Sequence, residues 1–156
     1  MKTHLLEAET RLPRPIDEIF PFFADAQNLE RLTPAMLNFR IVTPTPIEMR
    51  EGALIDYRLR VRGVPIKWRT RINVWEPPYR FVDEQIKGPY RLWLHEHTFE
   101  ADGDHTICRD RVEYAVPFDF IAHKLLVKRD VENIFAYRER VLRDIFPAQR
   151  GVGATA

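Results

Sequence analysis

The residues most able to do chemistry are two histidines, His95 and His97, which stand two positions apart in the aromatic stretch 88–99. In an extended strand, side chains alternate between the two faces, so both imidazoles would share one face with Trp93 and Phe99. Imidazoles in such a setting can act as general acids or bases, ligate a metal ion, or form hydrogen bonds inside a core. Which of these roles applies depends on the residues of the neighbouring strands.

Two aspartates are predicted to lie beside the histidines on the adjacent strands. Alternation places Asp83 and Asp110 on the same face of the sheet as His95 and His97. If the turns between the strands are tight, His97 falls across from Asp110, and His95 falls near Asp83. The expected result is an Asp–His–His–Asp row that crosses three adjacent strands.

Three interpretations of this row stay open. In the first, it is a buried network in which each carboxylate orients an imidazole, with no function beyond stability. In the second, it is the polar end of an apolar ligand pocket. In the third, the pair binds a metal or performs acid–base catalysis, with His95 or His97 as general base and Asp83 or Asp110 as its orienting group. Because no third ligand stands at a fixed spacing, we assign no metal site and no cofactor.

Hydrophobic periodicity predicts the elements at the start of the chain. Apolar and polar residues alternate over residues 4–12, which predicts a first strand. Pro15 and the helical spacing of Ile19 and Phe23 then predict a short helix. Asp25 is suited to cap a second short helix.

The remaining elements follow from turn residues and spacing. Six further strands are predicted over residues 39–43, 53–62, 66–75, 80–86, 90–101 and 106–117. A long helix is predicted from about Phe120, capped by Asp119, to Phe146. The predicted fold class is therefore α+β, with a curved seven-stranded antiparallel sheet wrapped around a long C-terminal helix and two short helices after the first strand. We expect a single domain over residues 1–147 and a disordered tail over residues 148–156.

Charge distinguishes the two faces of the predicted sheet. Strict alternation places Ile72 and Val74 on the inner face, whereas Arg58, Lys67 and Arg71 fall on the outer face. An outer face of this kind is most often solvated, although it could also dock an acidic partner.

The bulk composition narrows the function classes. The 156 residues are 45% hydrophobic and 30% charged, which is ordinary for a soluble domain. A net charge of +1 gives no overall field for nucleic acid, and the longest apolar stretch, residues 19–24, is too short to span a bilayer. Cys108 is the only cysteine, which excludes an intramolecular disulfide. We expect a cytoplasmic protein with no nucleic-acid partner and no stable membrane insertion; the oligomeric state stays open.

Five short motifs carry a family resemblance that extends over nearly the whole chain. They are NLERLTP at 28–34, FVDEQ at 81–85, GPY at 88–90, WLHEHTF at 93–99 and DRVEY at 110–114. With the element order, they make the chain resemble the helix-grip superfamily of birch-allergen-like (Bet v 1-like), START and polyketide-cyclase-like (SRPBCC) proteins. They also resemble a subgroup whose module precedes epimerase-like domains described as cell-division inhibitors. The resemblance implies a hydrophobic cavity under the last helix, without naming a substrate.

We therefore predict that the protein binds a small hydrophobic or amphipathic molecule between the sheet and the C-terminal helix. The predicted contacts are Tyr57, Trp68, Phe81, Asp83, Gln85, Trp93, His95, His97, Phe99, Asp110, Tyr114, Ile134 and Phe135. The main alternative is a cyclase- or dehydratase-like enzyme that uses an inward His/Asp pair. A third possibility is an adaptor that uses the outer sheet face and has no cavity.

Overall fold

The computed structural model describes residues 2–117 and 121–148, and within them it confirms the predicted α+β architecture. The strands are β1 (His4–Leu12), β2 (Arg40–Ile41), β3 (Leu54–Val61), β4 (Val64–Glu76), β5 (Arg80–Lys87), β6 (Leu92–Asp102) and β7 (His105–Ala115). The helices are α1 (Ile16–Ala24), α2 (Asn28–Leu32) and α3 (Ile121–Ile145), with a 3-10 turn at Ala35–Leu37. The predicted cap at Asp119, the helix start at Phe120 and the tail from Gln149 onwards lie outside the described residues.

The seven strands form one antiparallel sheet in the order β1-β7-β6-β5-β4-β3-β2. Short turns connect its long hairpins. Arg62 and Gly63 join β3 to β4 with φ angles of +50° and +81°, as a two-residue type I′ turn requires. Gly103, at φ +60°, helps to join β6 to β7 through two residues, so that Asp102 faces His105. This tight second turn sets the register of the strands that carry the histidines.

A β-bulge in β4 makes one sequence-based prediction wrong, namely the placement of Val74 on the inner face. Ile72 faces Asp83, but the next pair is Val74 with Val82, so Asn73 is an extra residue in the ladder. Beyond the bulge the alternation is reversed relative to the prediction. Trp75, opposite Phe81, therefore packs into the interior, and Val74 does not.

The interior consists of apolar clusters with a polar band between two of them. One cluster packs α1 and the end of α3 against the sheet, and includes Phe20, Phe99 and Cys108. A second cluster includes Val112 and Phe135 beneath the middle of α3. Along β6 and β7, the histidines and Asp110 fall between these clusters. In the described part of the chain, no helix is long and apolar enough to cross a bilayer.

Candidate functional site

The predicted row of two aspartates and two histidines exists in the backbone register. Asp83 on β5 lies directly opposite His95 on β6, and His97 lies directly opposite Asp110 on β7. All four side chains point towards α3, and both histidines are only 5% exposed. The predicted register is therefore confirmed.

The short hydrogen bonds run diagonally across this register. His95 Nε2 lies 2.7 Å from Asp110 Oδ1, and His97 Nε2 lies 2.6 Å from Asp83 Oδ2. The imidazole rings stack with centroids 3.6 Å apart and planes inclined by 27°. As a result, the second nitrogen of each ring also approaches a carboxylate, at 3.4 Å for His97 with Asp110 and 4.0 Å for His95 with Asp83. Each aspartate thus faces both histidines.

A fifth member of the network, Arg138 on α3, was not predicted. Its Nη2 atom lies 3.5 Å from both Asp110 Oδ1 and His97 Nδ1. The residue is 7% exposed, and its guanidinium lies over the rings of Phe23 and Phe135. The sequence did hold a signal for it, because Arg138 falls three residues after Phe135 and four before Leu142, on the apolar stripe of the helix.

Aromatic rings enclose the histidine stack. Phe81 stacks on His97 with centroids 4.0 Å apart, and Phe135 meets His95 edge-on at 5.5 Å. Trp93 lies 6.5 Å from His95, nearly perpendicular to it. The imidazoles are therefore held between rings from the sheet and a ring from α3, which leaves them little freedom to rotate.

The carboxylates of the network are held in their charged forms. Burial alone would raise the pKa of Asp110, but the Arg138 guanidinium and the hydrogen bonds with His95 and His97 outweigh it, so this pKa lies well below its ordinary value. Burial also acts to raise the pKa of Asp83. The hydrogen bond from His97 and the surrounding positive charges again reverse the effect, and the pKa of Asp83 is lowered.

The two imidazoles shift in opposite directions. Burial lowers the pKa of His95, and the adjacent His97 lowers it further, against the pull of Asp110. Burial would also lower the pKa of His97, but its hydrogen bonds to Asp110 and Asp83 prevail and raise it. With His97 protonated and His95 neutral, the two positive charges of the network balance its two carboxylates. The stacked pair is therefore suited to carry one imidazolium ion and one neutral imidazole.

The geometry does not favour a metal ion at this site. Single ligand atoms of Asp83, His95 and His97 lie within 4.8 Å of one another. However, the two rings stack on each other with their planes inclined by 27°, and Nε2 of His95 is already engaged by Asp110 at 2.7 Å. Asp83 is already engaged by His97 at 2.6 Å, and the Arg138 cation lies 3.5 Å from the same ring.

Many of the other predicted contact residues pack against one another. Tyr57 stacks on Trp68, Trp68 meets Trp93, and Trp93 meets Tyr114, with centroid separations of 5.7, 5.7 and 6.1 Å. The hydroxyl of Thr70 accepts a hydrogen bond from Trp68 Nε1 and also contacts the Tyr57 hydroxyl. These rings form a continuous aromatic belt across the inner face of the sheet.

Three further predicted residues have identifiable partners or positions. Phe99 packs with α1, and its ring lies 5.4 Å from that of Phe20. The Gln85 side chain bonds both backbone groups of Tyr90, which closes the β5–β6 loop. Ile134 is half-buried on α3.

Two open clefts reach the neighbourhood of Asp110. The first, of about 330 Å³, lies on the outer sheet face and is lined mainly by charged side chains such as Glu96 and Arg109. The second, of about 320 Å³, lies between the edge strand β1 and α3, and its lining includes Asp110, Phe135 and Arg138. We call this second space the β1–α3 cleft. Of the predicted contact residues, Asp110 and Phe135 line it, while neither histidine does.

A family model described as polyketide cyclase/dehydrase and lipid transport matches residues 12–136 of the chain. No curated protein matches the sequence significantly. The chain is similar in structure to the Zhui aromatase/cyclase of Streptomyces sp. R1128, with a TM-score of 0.73 and 14% identity over 99% of both chains.

Two further solved structures resemble the chain over most of its length. Norcoclaurine synthase of Thalictrum flavum, a point mutant in complex with a transition-state analogue, has a TM-score of 0.64 and 14% identity over 92% of this chain and 96% of that one. Major latex-like protein 151 of Panax ginseng has a TM-score of 0.66 and 11% identity over 93% and 98%. At such low identities these likenesses show the helix-grip fold alone.

Proposed function

Because the chain belongs to the polyketide cyclase/dehydrase and lipid transport family, we propose that it binds a small hydrophobic or amphipathic molecule between its sheet and α3. The observation that carries this proposal is the β1–α3 cleft. Its volume of about 320 Å³ lies at the lower end of the range of small-molecule sites.

The lining of the β1–α3 cleft supports a ligand with an apolar body and a polar end. Leu6, Ala8, Phe135 and Leu142 offer apolar surface from the strand and the helix, and the cleft is also lined by four glutamates, which disfavour an anionic ligand: Glu7, Glu9, Glu132 and Glu139. Asp110 is a buried acceptor beside them, and Arg138 supplies a donor. Because a few fixed polar groups in an apolar wall orient a bound molecule, the ligand's polar end would face this pair.

A ligand longer than the cleft would extend along the aromatic belt. Phe135 shares an apolar cluster with Tyr114, and Trp93 packs against that cluster. Displacement of Phe135 towards solvent would bring the predicted contacts Trp93, Tyr114 and His95 into reach. In this proposal the histidines stand behind Asp110 and fix its position, and they do not meet a small ligand directly.

The experiment is to fill the β1–α3 cleft and measure binding of a hydrophobic probe. Ala136 is exposed on α3 and lines the cleft, so Ala136→Trp would occupy the space without disturbing the core. We expect this variant to weaken binding of Nile red, an uncharged hydrophobic dye, by roughly tenfold or more, as loss of about 1.4 kcal/mol of contact energy would do. Native mass spectrometry of freshly purified wild-type protein should also find a retained small molecule.

Asn133→Trp provides the matched control. Asn133 is exposed on the same helix but does not line the cleft, so this variant should bind the probe as the wild type does. If the wild type retains no small molecule and binds no probe, the proposal is wrong. Equal losses in both variants would place the binding elsewhere.

A second candidate function, acid–base catalysis, is favoured by the opposite pKa shifts of His95 and His97. Such a split would provide one base and one acid in adjacent positions. Since neither imidazole lines the cleft, catalysis would require a reacting group to displace Phe135 or to work through Asp110. The molecule that Asp110→Asn retains, incubated with the wild type and with fresh Asp110→Asn, provides the test. Conversion to a product of different mass by the wild type alone would support an enzyme, and an unchanged mass would exclude it for that molecule.

A further inference from the structure

The outer face of the sheet is divided into an ion-paired region and a region of unpaired cations. In the ion-paired region, Arg80 meets Glu96 at 2.7 Å, and Arg109 bridges Glu9 and Glu100 at 2.7 and 2.6 Å. Each arginine there is matched by carboxylates on neighbouring strands. Such a surface has no excess of positive charge and is well solvated.

The arrangement differs at the β2 edge of the sheet. Arg40 lies directly opposite Arg58, and Arg58 lies directly opposite Lys67, so three cations stand side by side across β2, β3 and β4. Arg60 follows on β3, and its guanidinium donates a hydrogen bond to the carbonyl of Gly63. Within the described residues, none of these four side chains has a carboxylate partner. We call these four residues the basic patch.

The nearest acid on that face does not neutralise the basic patch. Asp56 lies on the outer face of β3, but Arg69 holds both of its oxygens at 2.7 and 3.0 Å. Like charges directly opposite each other on neighbouring strands destabilise a sheet. Strands about 4.8 Å apart bring the three facing cations within about 10 Å. Glu30 lies near the β2 edge, where its carboxylate accepts a hydrogen bond from Ile41 N at 3.2 Å, but among the described residues it forms no ion pair with the basic patch, so an external anion would relieve the remaining repulsion.

The surroundings of the basic patch indicate which anion it fits. Leu54, on the outer face of β3, is 46% exposed, and Val42, which follows β2, is 51% exposed. Aliphatic side chains beside cations suit an anionic lipid surface, where headgroups meet the charges and acyl chains meet the apolar groups. A single-stranded nucleic acid would instead require aromatic side chains on which its bases stack, and the outward positions of β2, β3 and β4 around the patch carry none.

We propose that the basic patch docks the protein reversibly on an anionic membrane surface. The patch lies on the face of the sheet opposite α3, so docking would leave the β1–α3 cleft uncovered. The net charge of +1 gives no long-range attraction, and binding therefore depends on local contact and on low salt. This inference does not depend on the identity of any ligand in the cleft.

The experiment is sedimentation with vesicles of phosphatidylcholine, with or without phosphatidylserine. We expect the wild type to sediment with the phosphatidylserine vesicles at low salt and to be released by high salt. Each basic residue near such a surface strengthens binding by roughly fivefold, so Arg58→Gln combined with Lys67→Gln should weaken it by roughly 25-fold. The same double variant should be at least as stable as the wild type to heat, because it removes a like-charge pair.

A matched control changes the net charge equally on the ion-paired region. Arg109→Gln combined with Arg111→Gln removes two cations that already have carboxylate partners, so vesicle binding should be retained. The proposal is overturned if the wild type does not sediment with anionic vesicles, or if the control loses binding to the same extent. It is also overturned if a single-stranded oligonucleotide binds more tightly than the vesicles and the same Arg58 and Lys67 substitutions abolish that binding.

Discussion

At the scale of single residues, the charge on each member of the buried network affects the pKa of the others. His95 and His97 stack at 3.6 Å and share two carboxylates, and the Arg138 guanidinium lies against the same atoms. A second proton on the stacked pair would put two imidazolium ions in contact in a buried place. We therefore expect only one of the two imidazoles to be an imidazolium ion over the pH range in which histidine ordinarily titrates.

The first prediction concerns the two imidazole titrations. His97 should have a pKa above the ordinary value of 6.5, and His95 should have a pKa below it. Proton NMR of the ring resonances as a function of pH, assigned with His95→Gln and His97→Gln, measures both. Two rings that titrate together near pH 6.5 would contradict the description of one imidazolium ion beside one neutral imidazole.

These directions also set the sign of the pH dependence of stability. The raised pKa of His97 adds stability that is complete below pH 6.5 and is lost as pH rises through its folded value. The lowered pKa of His95 has the opposite effect, since stability is then highest above pH 6.5 and falls as pH falls through its folded value. The two windows lie on opposite sides of pH 6.5, so the wild type should be most stable in urea unfolding near pH 6.5, whereas His95→Gln should lose the decline on the acid side of that value. An acid-side decline just below pH 6.5 that is as large in His95→Gln as in the wild type would be the contrary result.

The second prediction concerns the buried guanidinium. Arg138→Met keeps the apolar contacts with Phe23 and Phe135 but leaves Asp110 without its cation. Loss of one partner from a buried charge pair typically costs about 3 kcal/mol or more in the free energy of unfolding, and urea unfolding should detect it.

Arg140→Met, at an exposed position on the same helix, is the control and should change stability by less than about 0.5 kcal/mol. If both variants unfold at the same denaturant concentration, Arg138 does not hold the network together.

At the scale of elements, the positions of the site residues depend on turns and on one bulge. The two-residue connection at Gly103 brings β6 and β7 together in the register that faces His97 with Asp110. The bulge at Asn73 then lets β4 present Ile72 opposite Asp83 and still turn Trp75 inwards. Without an extra residue at that point, strict alternation would place Val74 inside.

The third prediction tests this bulge. Trp75 packs against Phe20 and Phe81, with ring centroids 5.5 Å away in each case. Trp75→Ala should therefore lower the free energy of unfolding by about 3 kcal/mol. Val74→Thr should cost less than about 1 kcal/mol, because its side chain lies on the other face. Equal costs, or the reverse order, would mean that the strand alternates without interruption.

At the scale of the whole molecule, the sheet separates two surfaces with different chemistry. The inner face holds the aromatic belt, the buried network and the β1–α3 cleft, whereas the outer face holds charge. Because the proposed ligand site and the proposed membrane-docking patch lie on opposite faces, either proposal can be wrong while the other is right. Ala136→Trp should leave vesicle binding intact, and the Arg58 and Lys67 substitutions should leave probe binding intact.

The sequence by itself determined the fold class, the strand order along the chain and the register of the site. These features depend on local patterns, because alternation assigns each side chain to a face and a short turn sets which residues meet. Asp83, His95, His97 and Asp110 could therefore be placed in one row. The subgroup resemblance and the ligand contacts remain predictions.

Only the tertiary structure decided how the row is bonded and where the open space lies. The diagonal hydrogen bonds follow from the stacking of the two rings, which Phe81 and Phe135 enforce from different elements. Arg138 joins the network because α3 crosses the sheet at that point. The cleft lies beside β1, and the rings of the aromatic belt pack against one another, because packing sets the distance between helix and sheet. Distances between elements far apart in the chain arise from many side chains together, and no local pattern records them.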